Sequence, residues 1–121
     1  MIGLSKSKYT TFCQCAKALW LKTYMPDVEK NDEATQSRFE KGTEVGELAK
    51  SIMGSFVNVT VINEDGSQDI PSMISKTEVE MKNGSQNICE ASFSLIKEGM
   101  AHYCAVDILH KAVDGWEIYE V

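Results

Sequence analysis

Two carboxylates near the end of the chain, Asp107 and Glu120, are the side chains whose types and spacing best suit chemistry. Between them lies Asp114-Gly115, residue types that tolerate the positive φ of a two-residue type I′ turn, so the flanking segments are expected to fold back as a β-hairpin. With that turn Val113 faces Trp116, Leu109 faces Glu120 and Asp107 faces position 122, one beyond Val121. Opposed residues share a face and side chains alternate along a strand, which puts Asp107 and Glu120 on one side as diagonal neighbours, roughly 6–8 Å apart. Two carboxylates at that spacing can hold a hard divalent cation. The alternative is that they lie at the sheet's end or pair with lysines.

The Asp107 face also carries Tyr103, Ala105 and Leu109, and the Glu120 face carries Trp116 and Ile118. The opposite parity is apolar too, with Cys104, Val106, Ile108, Tyr119 and Val121, so both strands are expected to be covered on both faces. An ionised carboxylate in such a setting requires a partner, because leaving it without one costs several kcal/mol. A third acid, Glu90, stands among apolar residues in Ile88-Cys-Glu90-Ala-Ser-Phe-Ser-Leu95. It is expected either to contact substrate or orient a metal-bound water, or to be an edge carboxylate with no role.

The elements that must position these acids follow from periodicity. Tyr9, Phe12, Cys13, Ala16, Leu19 and Trp20 recur at helical spacing and predict one amphipathic helix capped by Ser5 or Ser7. Residues 32–54 predict a second helix with Phe39, Gly42, Val45, Gly46, Ala49, Ile52 and Met53 on its apolar side and Glu44 and Glu47 solvated. Its glycines cost about 1 kcal/mol each relative to alanine, which close backbone approach would justify. Phe56–Ile62 reads as a strand and residues 63–69 as a polar loop. Pro71 opens a helix over about 71–82 that Asn83-Gly84 ends. Ile88–Leu95 is the next strand, and Lys97-Glu-Gly99-Met turns into the Asp107 strand, completing a three-stranded antiparallel meander.

Together these segments resemble the PD-(D/E)XK nuclease superfamily, in its RecB-like branch, along most of the chain. Ala105-Val106-Asp107-Ile108-Leu109 resembles the strand that supplies the first catalytic aspartate, and Trp116-Glu-Ile-Tyr-Glu120-Val121 resembles the next, whose motif is an acid, any residue, then lysine. The resemblance implies an α/β (α+β) restriction-endonuclease-like core with a mixed sheet, incomplete at the C-terminus, the lysine falling at position 122, so the chain is expected to be the N-terminal part of such a domain and inactive or nearly so by itself. In the intact parent it implies Mg²⁺ or Mn²⁺ held by Asp107, Glu120 and the Val121 carbonyl, with nucleic acid, DNA ahead of RNA, as the partner. Ser5 to Leu21 resembles the family's opening segment, in which the cysteine matched by Cys15 is one of four iron–sulfur ligands in some members, the other three lying near the domain's C-terminus. Gly42-Thr-Glu-Val-Gly46 resembles a helix motif in which a metal-binding histidine stands where this chain has Gly46. That departure leaves the third ligand unassigned and favours, as the alternative, a catalytically retired binding module.

Composition is compatible with this reading. A chain of 121 residues, 43% hydrophobic and 25% charged, suits one domain spanning residues 1–121. Eighteen acids face twelve bases, Arg38 being the one arginine, so strong phosphate binding requires clustering, which Lys6, Lys8, Lys17 and Lys22 offer. No apolar run suggests a membrane segment, and the cytoplasm is the expected location. Cysteines 13, 15, 89 and 104 show no paired metal spacing and are expected as thiols. His102 and His110 share the parity opposite Asp107 and are expected in structural roles. A strand ending at Val121 leaves an edge that predicts pairing with a second copy.

Overall fold

The computed structural model describes residues 3–28 and 33–121, with the side chains of residues 33–36 and 39 outside the description. Over those residues it is a mixed α/β arrangement of four α-helices and one mixed sheet. The centre is a long antiparallel hairpin of β3 (Asn87–Lys97) and β4 (Met100–Lys111). Its turn is Glu98-Gly99, with φ of 52° and 73°, directly between the paired residues Lys97 and Met100. Two consecutive positive φ values match the right-handed twist of the flanking strands, so this is where the primed two-residue turn forms.

Around the hairpin, β2 (Val57–Asn58) runs parallel to β3 at Ile88-Cys89. The outer edge of β4 is shared: β1 (Gly3–Ser5) lies parallel to Ala101–Tyr103, and β5 (Trp116–Tyr119) lies antiparallel to Ile108–Lys111. The expected meander is therefore β3, β4 and β5, and the two parallel additions make the sheet mixed. Val59, Ile88, Ala91, Val106 and Leu109 form the core, with Met81, Phe93 and Trp116 packed against them. The expected strand over residues 56–62 narrows to two ladder residues, although Val59 continues it with an N–H donated to the Cys89 carbonyl at 3.1 Å.

Helix α4 (Ile70–Asn83) falls close to the expected 71–82 because its boundary signals are local. Asp69 accepts from the Ser72 N–H, Pro71 sits in the first turn, and Gly84 ends the helix at φ 75°. The helix packs on β3 through buried Met73 and Thr77. The Thr77 hydroxyl donates to the Met73 carbonyl and accepts from the Ser92 N–H, both at 2.9 Å. One buried hydroxyl thus joins helix to strand.

The N-terminal helix departs from expectation. It breaks at Cys15, whose φ of −162° and ψ of 110° are extended, into α1 (Lys6–Gln14) and α2 (Ala16–Tyr24). Ser5 is the cap, accepting from the Lys8 N–H at 3.2 Å. Within α1 the hydroxyls of Thr10 and Thr11 bond back to the carbonyls of Lys6 and Ser7, a pattern that bends and weakens helices. The apolar stripe is split accordingly, and Tyr9, Phe12, Cys13 and Trp20 are exposed.

Helix α3 (Glu33–Ile52) also presents a different side from the one expected. Val45, Leu48 and Ile52 are exposed, whereas Gly46, Ala49 and Met53 are half-buried and Lys50 is buried. The expected contribution of Phe39 lies outside the described residues. The β4–β5 connection differs as well: Ala112–Gly115 is a four-residue loop closed by the Ala112 N–H on the Gly115 carbonyl at 2.9 Å, and neither Asp114 nor Gly115 has positive φ. Pairing consequently slips by two residues, with Leu109 facing Ile118. The slip is even, so it preserves which side chains share a face. β5 is exposed beyond Trp116, not covered on both faces as expected. Among the described residues no helix is long and apolar enough to cross a membrane.

Candidate functional site

The segment that follows α3 is held against the sheet by one buried side chain. Asn87, 4% exposed, donates its amide to the carbonyls of Met53 at 2.9 Å and Ser55 at 3.0 Å. Its oxygen must then be the acceptor facing His110 Nδ1 at 2.7 Å, which assigns the imidazole proton to Nδ1. His110 is thereby structural, with its ring edge-on to Tyr119. This clamp anchors the chain beside β3 just beyond α3, three and five residues past Lys50.

Between α3 and the hairpin lies a cavity of about 380 Å³ lined by Arg38, Gly42, Thr43, Gly46, Glu47, Lys50, Glu90, Asp107 and Val121. Glu90 has a φ of 59°, a conformation costly for a side-chain-bearing residue. The ladder is interrupted there: Cys89 pairs with Ile108 and Ala91 with Val106, which leaves Glu90 across from Asp107 at the unbridged step. Strained backbone of this kind concentrates at functional sites, and here it coincides with two acids lining one cavity.

Lys50 is the main cation in this cavity. It is 7% exposed, and its ammonium donates to Glu47 at 3.2 Å and Glu90 at 3.4 Å. Burial pulls its pKa down, but the hydrogen bonds and charges of Glu47 and Glu90 outweigh that, leaving it above the ordinary lysine value. Asp107 is half-buried and accepts from the Val121 N–H at 2.8 Å. The observed register points to Glu120 as the next residue opposite Asp107, a closer relation than the expected diagonal.

Glu120 itself is exposed and forms an ion pair with Lys6 at 2.6 Å. The Lys6 ammonium also donates to the Ala105 carbonyl at 3.3 Å, bridging the stretch of β4 edge left open between β1 and β5. Its pKa is raised, first by the hydrogen bond to Glu120 and further by the charges of Glu120 and Asp107.

Of the residues singled out in the sequence, Asp107, Glu90 and Val121 meet in one cavity. Glu120 does not line it and is paired with Lys6, which is the alternative weighed for it. Glu47, expected to be merely solvated, lines the cavity. Gly42 and Gly46 do not serve close packing: a Cβ at either would meet nothing within 4 Å, so they widen the cavity instead. Cys15 lies elsewhere, exposed at the break between α1 and α2, and all four cysteines are free thiols. Sequence reasoning missed Lys50, and it placed Lys6 in a phosphate-facing cluster without identifying it as the partner of Glu120; their acid partners are 40 and 114 positions away.

Carboxylate oxygens and a backbone carbonyl are donors suited to a hard cation such as Mg²⁺ or Mn²⁺. Asp107 and Glu90 are the pair that could share one, yet among the described residues no three His, Cys, Asp or Glu side chains gather as a metal-holding group. Cys15 has no such company either. Compared with known proteins, the chain matches no family model, no curated protein and no solved structure.

Proposed function

We propose that the chain is a PD-(D/E)XK-type, restriction-endonuclease-like nuclease module acting on nucleic-acid phosphodiesters. The observation that carries this reading is the placement of Glu90 opposite Asp107, at a strained, unbridged step of the central hairpin, in a cavity walled by a long helix. In this reading Asp107 and Glu90 hold a divalent cation, with Glu120 and the Val121 carbonyl at the margin. The cation would polarise the phosphate and lower the pKa of a water. Arg38, on the cavity wall, orients a phosphate oxygen, and Asn87 keeps α3 in register with the acids. Calorimetric titration with Mn²⁺ tests it: wild type should give binding heat that Asp107→Asn abolishes. Absence of heat in the wild type refutes the metal site.

A second reading, a catalytically retired module that binds nucleic acid or protein without metal, is favoured by two observations. Lysines already neutralise Glu90 and Glu120, and Gly46 offers no side chain to the cavity. Fluorescence anisotropy of labelled DNA and RNA oligonucleotides in EDTA separates the two, since only the retired module predicts tight binding without divalent ions.

A further inference from the structure

We infer that Lys50 is a tethered counter-cation that competes with divalent ions for the cavity and weakens their binding, so that ion binding requires its ammonium to release Glu90. The inference rests on the metal-site reading above and concerns how that site is regulated. Lysine is almost never this buried unless paired, and here both partners are acids facing the same cavity. The ammonium therefore already supplies the positive charge that Glu90 requires. A divalent ion shared by Glu90 and Asp107 would stand a few ångströms from that ammonium, and like charges so close repel strongly in a partly dry site.

Release has a place to go. The Glu47 side chain is 66% exposed and already holds Lys50 at 3.2 Å, so the ammonium can leave Glu90 and swing outward without losing its other partner. Gly46, one helical turn earlier on the same wall, leaves open space, since a Cβ there would touch nothing within 4 Å. Helix α3 thus carries the cation, an exposed acid to receive it and open space at Gly46. The consequence is competition between Lys50 and a metal ion for Glu90.

The test is Mn²⁺ affinity by calorimetry for wild type, Lys50→Met, Lys50→Gln and, as a control for general charge removal, Lys76→Gln on the exposed side of α4 outside the cavity, with circular dichroism to verify folding. Both Lys50 variants should bind about tenfold more tightly or better, one decade being ~1.4 kcal/mol, with Lys76→Gln changing affinity about threefold or less. Lys50→Gln retains a hydrogen-bond donor toward Glu90 and serves if Lys50→Met fails to fold. Equal affinity across wild type and both Lys50 variants overturns the inference while leaving the metal site intact. Loss of binding in folded Lys50 variants also overturns it, by making Lys50 a helper. No Mn²⁺ heat in any protein removes the metal-site reading, and the inference with it.

Discussion

Replacing Asn87 probes the joint on which the whole cavity depends. In Asn87→Ala, three hydrogen bonds are lost: two from the amide to the Met53 and Ser55 carbonyls and one between its oxygen and His110 Nδ1. At about 1 kcal/mol net per bond the cost is roughly 3 kcal/mol, a substantial part of the 5–15 kcal/mol typical of a domain. For a chain of this length the melting temperature should fall by about 12 °C, taking ~4 °C per kcal/mol. Asn87→Asp sharpens the test, because it is nearly isosteric and keeps the acceptor for His110. It nevertheless sets a carboxylate oxygen against two carbonyl oxygens where an N–H₂ stood. It should therefore be less stable than Asn87→Ala at neutral pH and recover as acid protonates the carboxyl. Differential scanning calorimetry from pH 4 to pH 8 reads both effects. If Asn87→Asp melts within a few degrees of wild type at neutral pH, the hydrogen-bond assignment is wrong and α3 is held by something else.

Four further outcomes are expected. Gly46→Ala should stabilise the protein by about 1 kcal/mol in urea denaturation, since the helix gains and nothing lies within 4 Å of the new methyl; destabilisation would mean that the cavity wall is closed. Thr77→Val, alike in shape, should cost about 1–3 kcal/mol by stranding the buried Ser92 N–H, and an unchanged urea midpoint would show that this amide has another partner. Glu98→Asn should raise stability by about 0.5–1 kcal/mol because asparagine tolerates the left-handed conformation of the turn better than glutamate; no gain would argue against positive φ there. The Lys50 ion pairs contribute fully below the ordinary lysine pKa of 10.5 and are lost as pH rises through the higher folded value. The stability difference between wild type and Lys50→Met should accordingly hold from pH 7 to 10 and shrink above 10.5, a profile that thermal melts in alkaline buffers would reveal.

What the sequence discloses here is what is decided locally. Asp69, Pro71 and Gly84 bracket α4 within a residue or two, and Glu98-Gly99 is a turn in both readings. The Asp114-Gly115 pair misled because its residue types permit a primed turn without requiring one, and a four-residue loop placed Leu109 on Ile118 instead. Asp107 and Glu90 were identifiable as acids embedded in apolar strands. Lys50 was not, since lysine on an amphipathic helix ordinarily marks the solvated side, and only the distant Glu90 reverses that meaning. The break at Cys15 had no proline or glycine to announce it. The side of α3 that faces the sheet is likewise set by an ion pair and the Asn87 clamp, not by the positions of Val45 and Ile52.

The pairing of β1 with β4 also has a bearing on biosynthesis. Gly3 leaves the ribosome about a hundred residues before its partner Ala101. At translation speeds of 5–20 residues per second, the nascent chain waits about 5–20 seconds with its opening segment undocked. Throughout that interval Leu4 and Tyr9, which line one pocket with Phe93 and Tyr103 in the folded chain, have no sheet beside them. Slow codons placed between the two strands would lengthen this exposure and lower the yield of native protein, whereas a helper that shields the emerging segment would raise it.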